Sequence, residues 1–281
     1  MIIMNQTPQL KRPAFIIFTD KDGTMNLQDK NLNNIFRLVH AMNGMIIPTT
    51  GRTVGDIQED LKGNKLVNPA LLIGDNGGSI FFTKSKEFVY KQTLDSEKVK
   101  NVISHFTELG GNSEMIRLTD GEYIYAINNP EVQQYYRKKH TVKYGKDINS
   151  LLGIMPEITK ITLSGTKPQM QEMAAYVKNL NFWSDIGATK FPNASYQHYR
   201  LDIADRNISK GNAVKLINSI LKPPFGYMCI GNGENDISMF KQAIDDGMLI
   251  GIMEDSPQSV IEEMKYYVDL KKKRQNGSYS C

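Results

Sequence analysis

Apolar residues along this chain follow two alternating rhythms. Short unbroken runs such as Phe15–Phe18 are bounded by polar residues, and between them lie longer stretches whose apolar positions recur every three or four residues. An unbroken run of this length suits a strand buried on both faces of a parallel sheet, and the three-to-four spacing marks an amphipathic helix. The pattern therefore predicts a strand at Phe15–Phe18 and then a helix with Leu32, Ile35, Phe36, Val39 and Met42 on one face, ended by Gly44. A second strand follows at Met45–Ile47. Further on, Leu71–Ile73 and Ile80–Phe82 flank Asp75-Asn76-Gly77-Gly78, an Asn-Gly hairpin signal.

From residue 85 to residue 190 or so the rhythm changes. A helix carrying Val99, Val102, Ile103, Phe106 and Leu109 precedes two strand-like pieces, Met115–Leu118 and Tyr123–Ile127, around a polar turn. A helix is expected after Pro130, a strand at Ile158–Leu163, and a helix opened by Pro168 with Met173, Val177 and Leu180 on its apolar side. The first rhythm then returns. Ser209 caps a helix through Val214, Leu216, Ile217 and Ile220, Tyr227–Ile230 and Met248–Ile252 read as strands, and Ser256-Pro257 opens a final helix. Strand–helix alternation at both ends predicts an α/β fold: a Rossmann-like parallel-sheet core built from residues 1–84 and 188–281, with an α+β domain of residues 85–187 inserted into it.

Composition narrows the functional classes. With 40% hydrophobic and 23% charged residues in 281, the chain is globular rather than disordered. A net charge of +4 falls short of a nucleic-acid-binding signature, and the basic run Lys271–Arg274 reads as a frayed terminus. Cys229 lies in an apolar run and Cys281 ends the chain, so a disulfide framework is not expected. No leader-type apolar segment and no run of about 18 apolar residues occurs, so the expectation is a cytoplasmic protein with no membrane partner. Oligomeric state leaves no signature in the sequence.

Three polar clusters follow three buried strands directly: Asp20–Thr24, Thr49–Arg52 and Gly231–Asp236. In open α/β sheets ligands bind outside the carboxyl ends of the strands, so these clusters are expected to converge. Two carboxylates two residues apart can supply a nucleophile and a proton-transfer partner, although Asp-Gly-Thr is also a common turn and helix-start sequence. Thr50 and Gly51 likewise suit a cap and turn, and Asp236 suits a helix cap. Lys210 at a helix start runs against the helix dipole, which favours a role directed at a ligand.

Asp20-Lys21-Asp22-Gly23-Thr24 resembles motif I of the haloacid-dehalogenase superfamily of phosphohydrolases. Thr50-Gly51-Arg52 resembles motif II, Ser209-Lys210-Gly211 the motif III lysine, and Gly231–Met239 motif IV, in the family's order. The segment between motifs II and III resembles the large α/β cap of the subgroup that includes many sugar-phosphate phosphatases. The resemblance implies that Asp20 is a nucleophile forming an aspartyl-phosphate and that Asp22 is the general acid and base. It implies phosphate binding by Thr50, Gly51, Lys210 and Asn235, and Mg²⁺ held by Asp20, Asp22, Asn232 and Asp236. The implied substrate is a small phosphorylated metabolite, a sugar phosphate by family weighting. Arg117, Glu122, Lys160 and His198 are candidates for leaving-group contacts, and Arg52 receives no role.

One position departs from the pattern. Asn232 stands where the family normally has a metal-ligand aspartate; its carbonyl can coordinate a hard cation but brings no negative charge. A phosphate-binding protein with little turnover is therefore one competing expectation; a sugar phosphomutase is another, because the resemblance extends to caps and motifs that serve phosphoryl transfer back to a sugar.

Overall fold

The computed structural model describes residues 12–25, 30–62, 69–110, 116–121, 124–127, 142–145, 157–189 and 198–275. In chain order, the elements begin with β1 (Ile16–Thr19), α1 (Lys30–Ala41), β2 (Met45–Pro48), α2 (Val54–Lys62), β3 (Leu71–Gly74), β4 (Ser79–Phe82) and β5 (Glu87–Lys91). They continue with α3 (Ser96–Glu108), β6 (Ile116–Thr119), β7 (Ile124–Ile127), β8 (Val142–Gly145), β9 (Lys160–Gly165), α4 (Lys167–Asn179), β10 (Phe182–Thr189) and β11 (His198–Asp205). The last are α5 (Lys210–Leu221), β12 (Tyr227–Gly231), α6 (Ile237–Asp245), β13 (Leu249–Ile252) and α7 (Gln258–Gln275). The helix expected after Pro130 lies outside the described residues. The chain divides into two compact units. One comprises the described parts of Met4–Arg52, Ile57–Val89 and Ser209–Cys281; the other those of Thr53–Asp56 and Tyr90–Ile208.

The first unit is α/β with a parallel sheet ordered β13-β12-β1-β2. A single parallel bridge, Thr49 to Ile73, sets the β3–β4 hairpin beside its β2 edge. The apolar runs form these strands because one face of the sheet is fully buried, at Ile16, Phe18, Ile47 and Cys229, and the other, at Ile17, Met228 and Ile230, is largely covered. The Phe18 and Tyr227 rings meet edge to face, 5.6 Å apart between centroids. In register, Thr19 lies opposite both Ile230 and Pro48, so β1, β2 and β12 end together at one edge of the sheet.

Helix α1 differs from the expectation of a single buried face. Val39 is buried, whereas Ile35, Leu38 and Met42 are at least half exposed. At about 100° per residue the apolar residues of this helix span a wider arc than one contact stripe, and these three share its outer edge. The other helices follow their signals closely. The Ser209 side chain accepts from the Asn212 N–H and caps α5. Gly211 allows close packing on α6, since a Cβ there would lie 2.3 Å from the Ser238 carbonyl oxygen. At the start of α7 the Ser256 hydroxyl is buried without a hydrogen bond, so Pro257 rather than a serine cap opens that helix.

The second unit carries a six-stranded sheet ordered β10-β11-β9-β6-β7-β8, antiparallel except for the β7–β8 pair. Ile161, Leu163, Leu201 and Ile203 join Val99, Phe106, Met173 and Val177 of α3 and α4 in one hydrophobic core. The alternate residues of β9 and β11 are polar and include Lys160, Thr162, Ser164 and Asp202, with Thr162 donating to Asp202 at 2.6 Å. β10 and β11 pair over eight residues and carry this unit to Ile208.

Candidate active site

Asp20 is the first residue past β1. Its main-chain N–H donates to the Ile230 carbonyl at 2.8 Å, so the sheet itself fixes its position. Its side chain is nearly buried, and Lys210 Nζ lies 2.5 Å from its Oδ1. The same Nζ lies 2.5 Å from Asp236 Oδ1. Lys210 is wholly buried in the first turn of α5, where the helix dipole disfavours a cation; the two carboxylates offset that penalty. Asp236 Oδ2 accepts from the main-chain N–H groups of Asn232 and Gly233, each at 2.9 Å.

Two carboxylates and one ammonium leave this buried cluster one negative charge in excess when all three are ionised. The protonation of Asp20 reflects its burial first and that imbalance second. Burial raises its pKa, Lys210 lowers it, the charge of Asp236 raises it again, and the balance stays above the ordinary carboxylate value.

Asp22 takes a different partner. It is about half exposed and received by Arg52, with Nη2 at 2.6 Å from Oδ1 and Nε at 2.8 Å from Oδ2. Arg52 Nη1 also reaches Asp60 at 3.3 Å, and Asp60 is paired with Lys21. Between the two aspartates and the third loop sits Gly23, with φ of 81°. A Cβ at that position would fall 2.1 Å from Asn232 Nδ2, so glycine is required both by the backbone and by the approach of Asn232.

Thr50 is buried past the end of β2, and its hydroxyl oxygen accepts from the Arg52 N–H at 3.2 Å. Gly51 packs against the side chain of Asn76, whose Oδ1 would stand 2.9 Å from a Cβ at position 51. Asn235 Nδ2 donates to that same Oδ1 at 3.1 Å. Of the residues marked out in the sequence, Asp20, Lys210 and Asp236 are thus in direct contact, and Asn232 joins them through its main chain. Gly51 and Asn235 meet at Asn76, Thr50 adjoins them, and Asp22 is held by Arg52. Arg52, which receives no role from the sequence, Asn76, which it marks only as a turn, and Asp60, for which it carries no signal, also belong to this network. Lys160 is buried on β9 in the second unit, and the side chains of Arg117, Glu122 and His198 lie outside the described residues.

The donor chemistry fits a hard divalent cation. The available groups are oxygens, and the buried cluster carries an uncompensated negative charge. Among the described residues no three Asp, Glu, His or Cys side chains are grouped as metal ligands.

The sequence profile of haloacid dehalogenase-like hydrolases matches residues 17–277, and the chain belongs to that family. No curated protein matches it by sequence. Solved structures share its fold at low identity. One is a haloacid dehalogenase-like hydrolase from B. subtilis, 16% identical, TM-score 0.69, covering 87% of this chain and 91% of its own. A sugar phosphatase of haloacid-dehalogenase subclass IIB is 20% identical with TM-score 0.66, covering 93% of this chain and 98% of its own. A phosphatase of the same superfamily from Bacteroides thetaiotaomicron is 17% identical with TM-score 0.65, covering 95% and 98%. Among the described residues no helix is long and apolar enough to cross a membrane.

Proposed function

We propose that this hydrolase is a Mg²⁺-dependent phosphatase acting on a small phosphomonoester, with a sugar phosphate as the substrate class. The observation that carries this reading is the Asp20–Lys210–Asp236 cluster at the carboxyl edge of the parallel sheet. A buried carboxylate beside an ammonium is poised for attack on an electrophile whose oxygens the ammonium can hold. The sugar phosphatase of the same fold supports the substrate class by analogy.

In the first step an Asp20 oxygen attacks phosphorus. The Asp20 O–P bond forms, the bond to the leaving oxygen breaks, and Asp22 gives that oxygen its proton. In the second step water attacks phosphorus, Asp22 takes the water proton, and Asp20 is regenerated as inorganic phosphate leaves. Lys210, the Thr50 hydroxyl and the Gly51 amide hold the phosphoryl oxygens, and Asn235 helps to orient them. Asp20, Asp22, Asn232 and Asp236 would hold Mg²⁺, which lets a carboxylate approach an anionic phosphoryl group by offsetting their repulsion. The inserted α+β segment would act as a cap that selects the leaving group.

Asn232 favours one second reading, a protein that binds phosphate with little turnover, because the position lacks the charge of an aspartate. A panel of phosphorylated metabolites assayed for phosphate release with Mg²⁺, with Asp20→Asn as the blank, separates the two. Release from one or more sugar phosphates by the wild type alone supports hydrolysis. Binding without release supports the second reading.

A further inference from the structure

The turn between β3 and β4 is conformationally expensive. Asp75 and Asn76 have φ of 50° and 56°, in the region that L side chains seldom adopt, and Gly77 follows at 100°, which glycine takes freely. Such strain persists only where the surroundings impose it, and it concentrates at functional sites.

The surroundings here are the polar loops of the site. The main-chain N–H of Asn76 donates to the Thr50 carbonyl at 2.9 Å, and that of Asp75 to the Arg52 carbonyl at 2.8 Å. The Thr50 N–H in turn donates to Ile73 at 3.0 Å, so the loop of residues 50–52 is stitched to the hairpin on both sides of Gly51. On its other side the tip meets the start of α5: a Cβ on Gly77 would lie 2.3 Å from the Ser209 carbonyl oxygen. The Asn76 side chain then reaches the third loop by accepting from Asn235. One short turn thus touches the loop after β2, the residue before Lys210 and the loop after β12.

We propose that Asn76 is a positioning residue for phosphate binding, acting through Asn235. Its left-handed backbone aims the side chain across Gly51, and its Oδ1 takes one N–H of the Asn235 amide, fixing which way that amide faces. This deepens the functional reading above and rests on the same phosphate site.

Asn76→Gly separates positioning from structure, because glycine adopts φ of 56° without strain while losing the amide. The probe is inorganic phosphate in Mg²⁺ buffer, titrated calorimetrically into wild type, Asn76→Gly, Asn235→Ala and the double variant, with a thermal melt of each. The expected result for Asn76→Gly is phosphate affinity weakened roughly five- to tenfold, the scale of one hydrogen bond, with an unchanged melting temperature. Asn235→Ala should weaken it by a similar factor, and the double variant by no more than either single. Wild-type affinity in Asn76→Gly, additive losses in the double variant, or a fall in melting temperature parallel to the affinity would each overturn the proposal. Wild type that binds phosphate but releases none from phosphomonoesters would refute the hydrolytic reading while leaving this test intact. Wild type that binds no phosphate would overturn both.

Discussion

Arg52 grips Asp22 through two parallel contacts, Nη2 to Oδ1 at 2.6 Å and Nε to Oδ2 at 2.8 Å. The grip orients the carboxylate proposed to exchange a proton with the leaving oxygen, and one of its oxygens must leave Arg52 when Asp22 carries that proton. Both side chains are substantially exposed, so the pair contributes little to stability. Arg52→Ala is expected to change unfolding free energy by less than about 1 kcal/mol. It should lower kcat roughly tenfold for alkyl phosphates, whose leaving oxygen needs a proton, and much less for p-nitrophenyl phosphate. Equal losses on both substrates, measured by steady-state kinetics, would show that Arg52 does not act through Asp22.

Lys210 forms ion pairs with two buried carboxylates, Asp20 and Asp236. Lys210→Met should therefore destabilise the fold by about 3–5 kcal/mol, because it leaves like charges facing each other out of water. Asp20→Asn combined with Lys210→Met should recover part of that loss. Urea unfolding of the single and double variants measures both effects, and a double variant no more stable than Lys210→Met would argue against the charge account.

The raised pKa of Asp20 sets a pH dependence. An acid whose folded-state pKa lies above its unfolded value of 3.8 holds its proton more tightly when folded. The stability this contributes is present below the unfolded pKa and is lost as pH rises through the folded value. Asp20→Asn should thus stabilise the protein at neutral pH, and the gain should shrink as pH falls below the folded-state pKa. Melting curves of both proteins from about pH 4 to about pH 8 test the sign; curves that stay parallel would contradict it.

Asn232 has its side chain against Gly23 and its main chain on Asp236. Asn232→Asp adds a carboxylate to a cluster that already carries excess negative charge. Without metal it should lower the melting temperature, and with Mg²⁺ it should tighten metal affinity roughly tenfold. Calorimetric titration of both forms reads this directly, and equal affinities would remove position 232 from the metal site.

Much of the first unit was legible because a parallel strand buried on one face and largely covered on the other writes unbroken apolar runs such as Phe15–Phe18 and Tyr227–Ile230 into the sequence. Asp20, Thr50 and Asn232 were legible for a related reason, since each lies just past such a run. β10 and β11 were not read. β11 alternates polar with apolar residues, as in Arg200-Leu201-Asp202-Ile203, but β10 (Phe182–Thr189) holds no such period, and neither stands out between two stronger rhythms. The sequence assigns no site role to Arg52 or Asn76 because their partners, Asp22 and Asn235, are 30 and 159 residues away. No local pattern encodes a contact of that kind. The Asn-Gly of residues 76 and 77 did announce a turn, but not what the turn would touch.

Asp20 is the proposed nucleophile, and its phosphorylated form is the intermediate to be found. Rapid acid quench of the wild type during turnover of a phosphomonoester, followed by peptide mass spectrometry, looks for that intermediate directly. The prediction is one phosphoryl group on the peptide containing Asp20, absent from Asp20→Asn. Steady phosphate release with no phosphoryl group on that peptide, or release undiminished in Asp20→Asn, would contradict the mechanism.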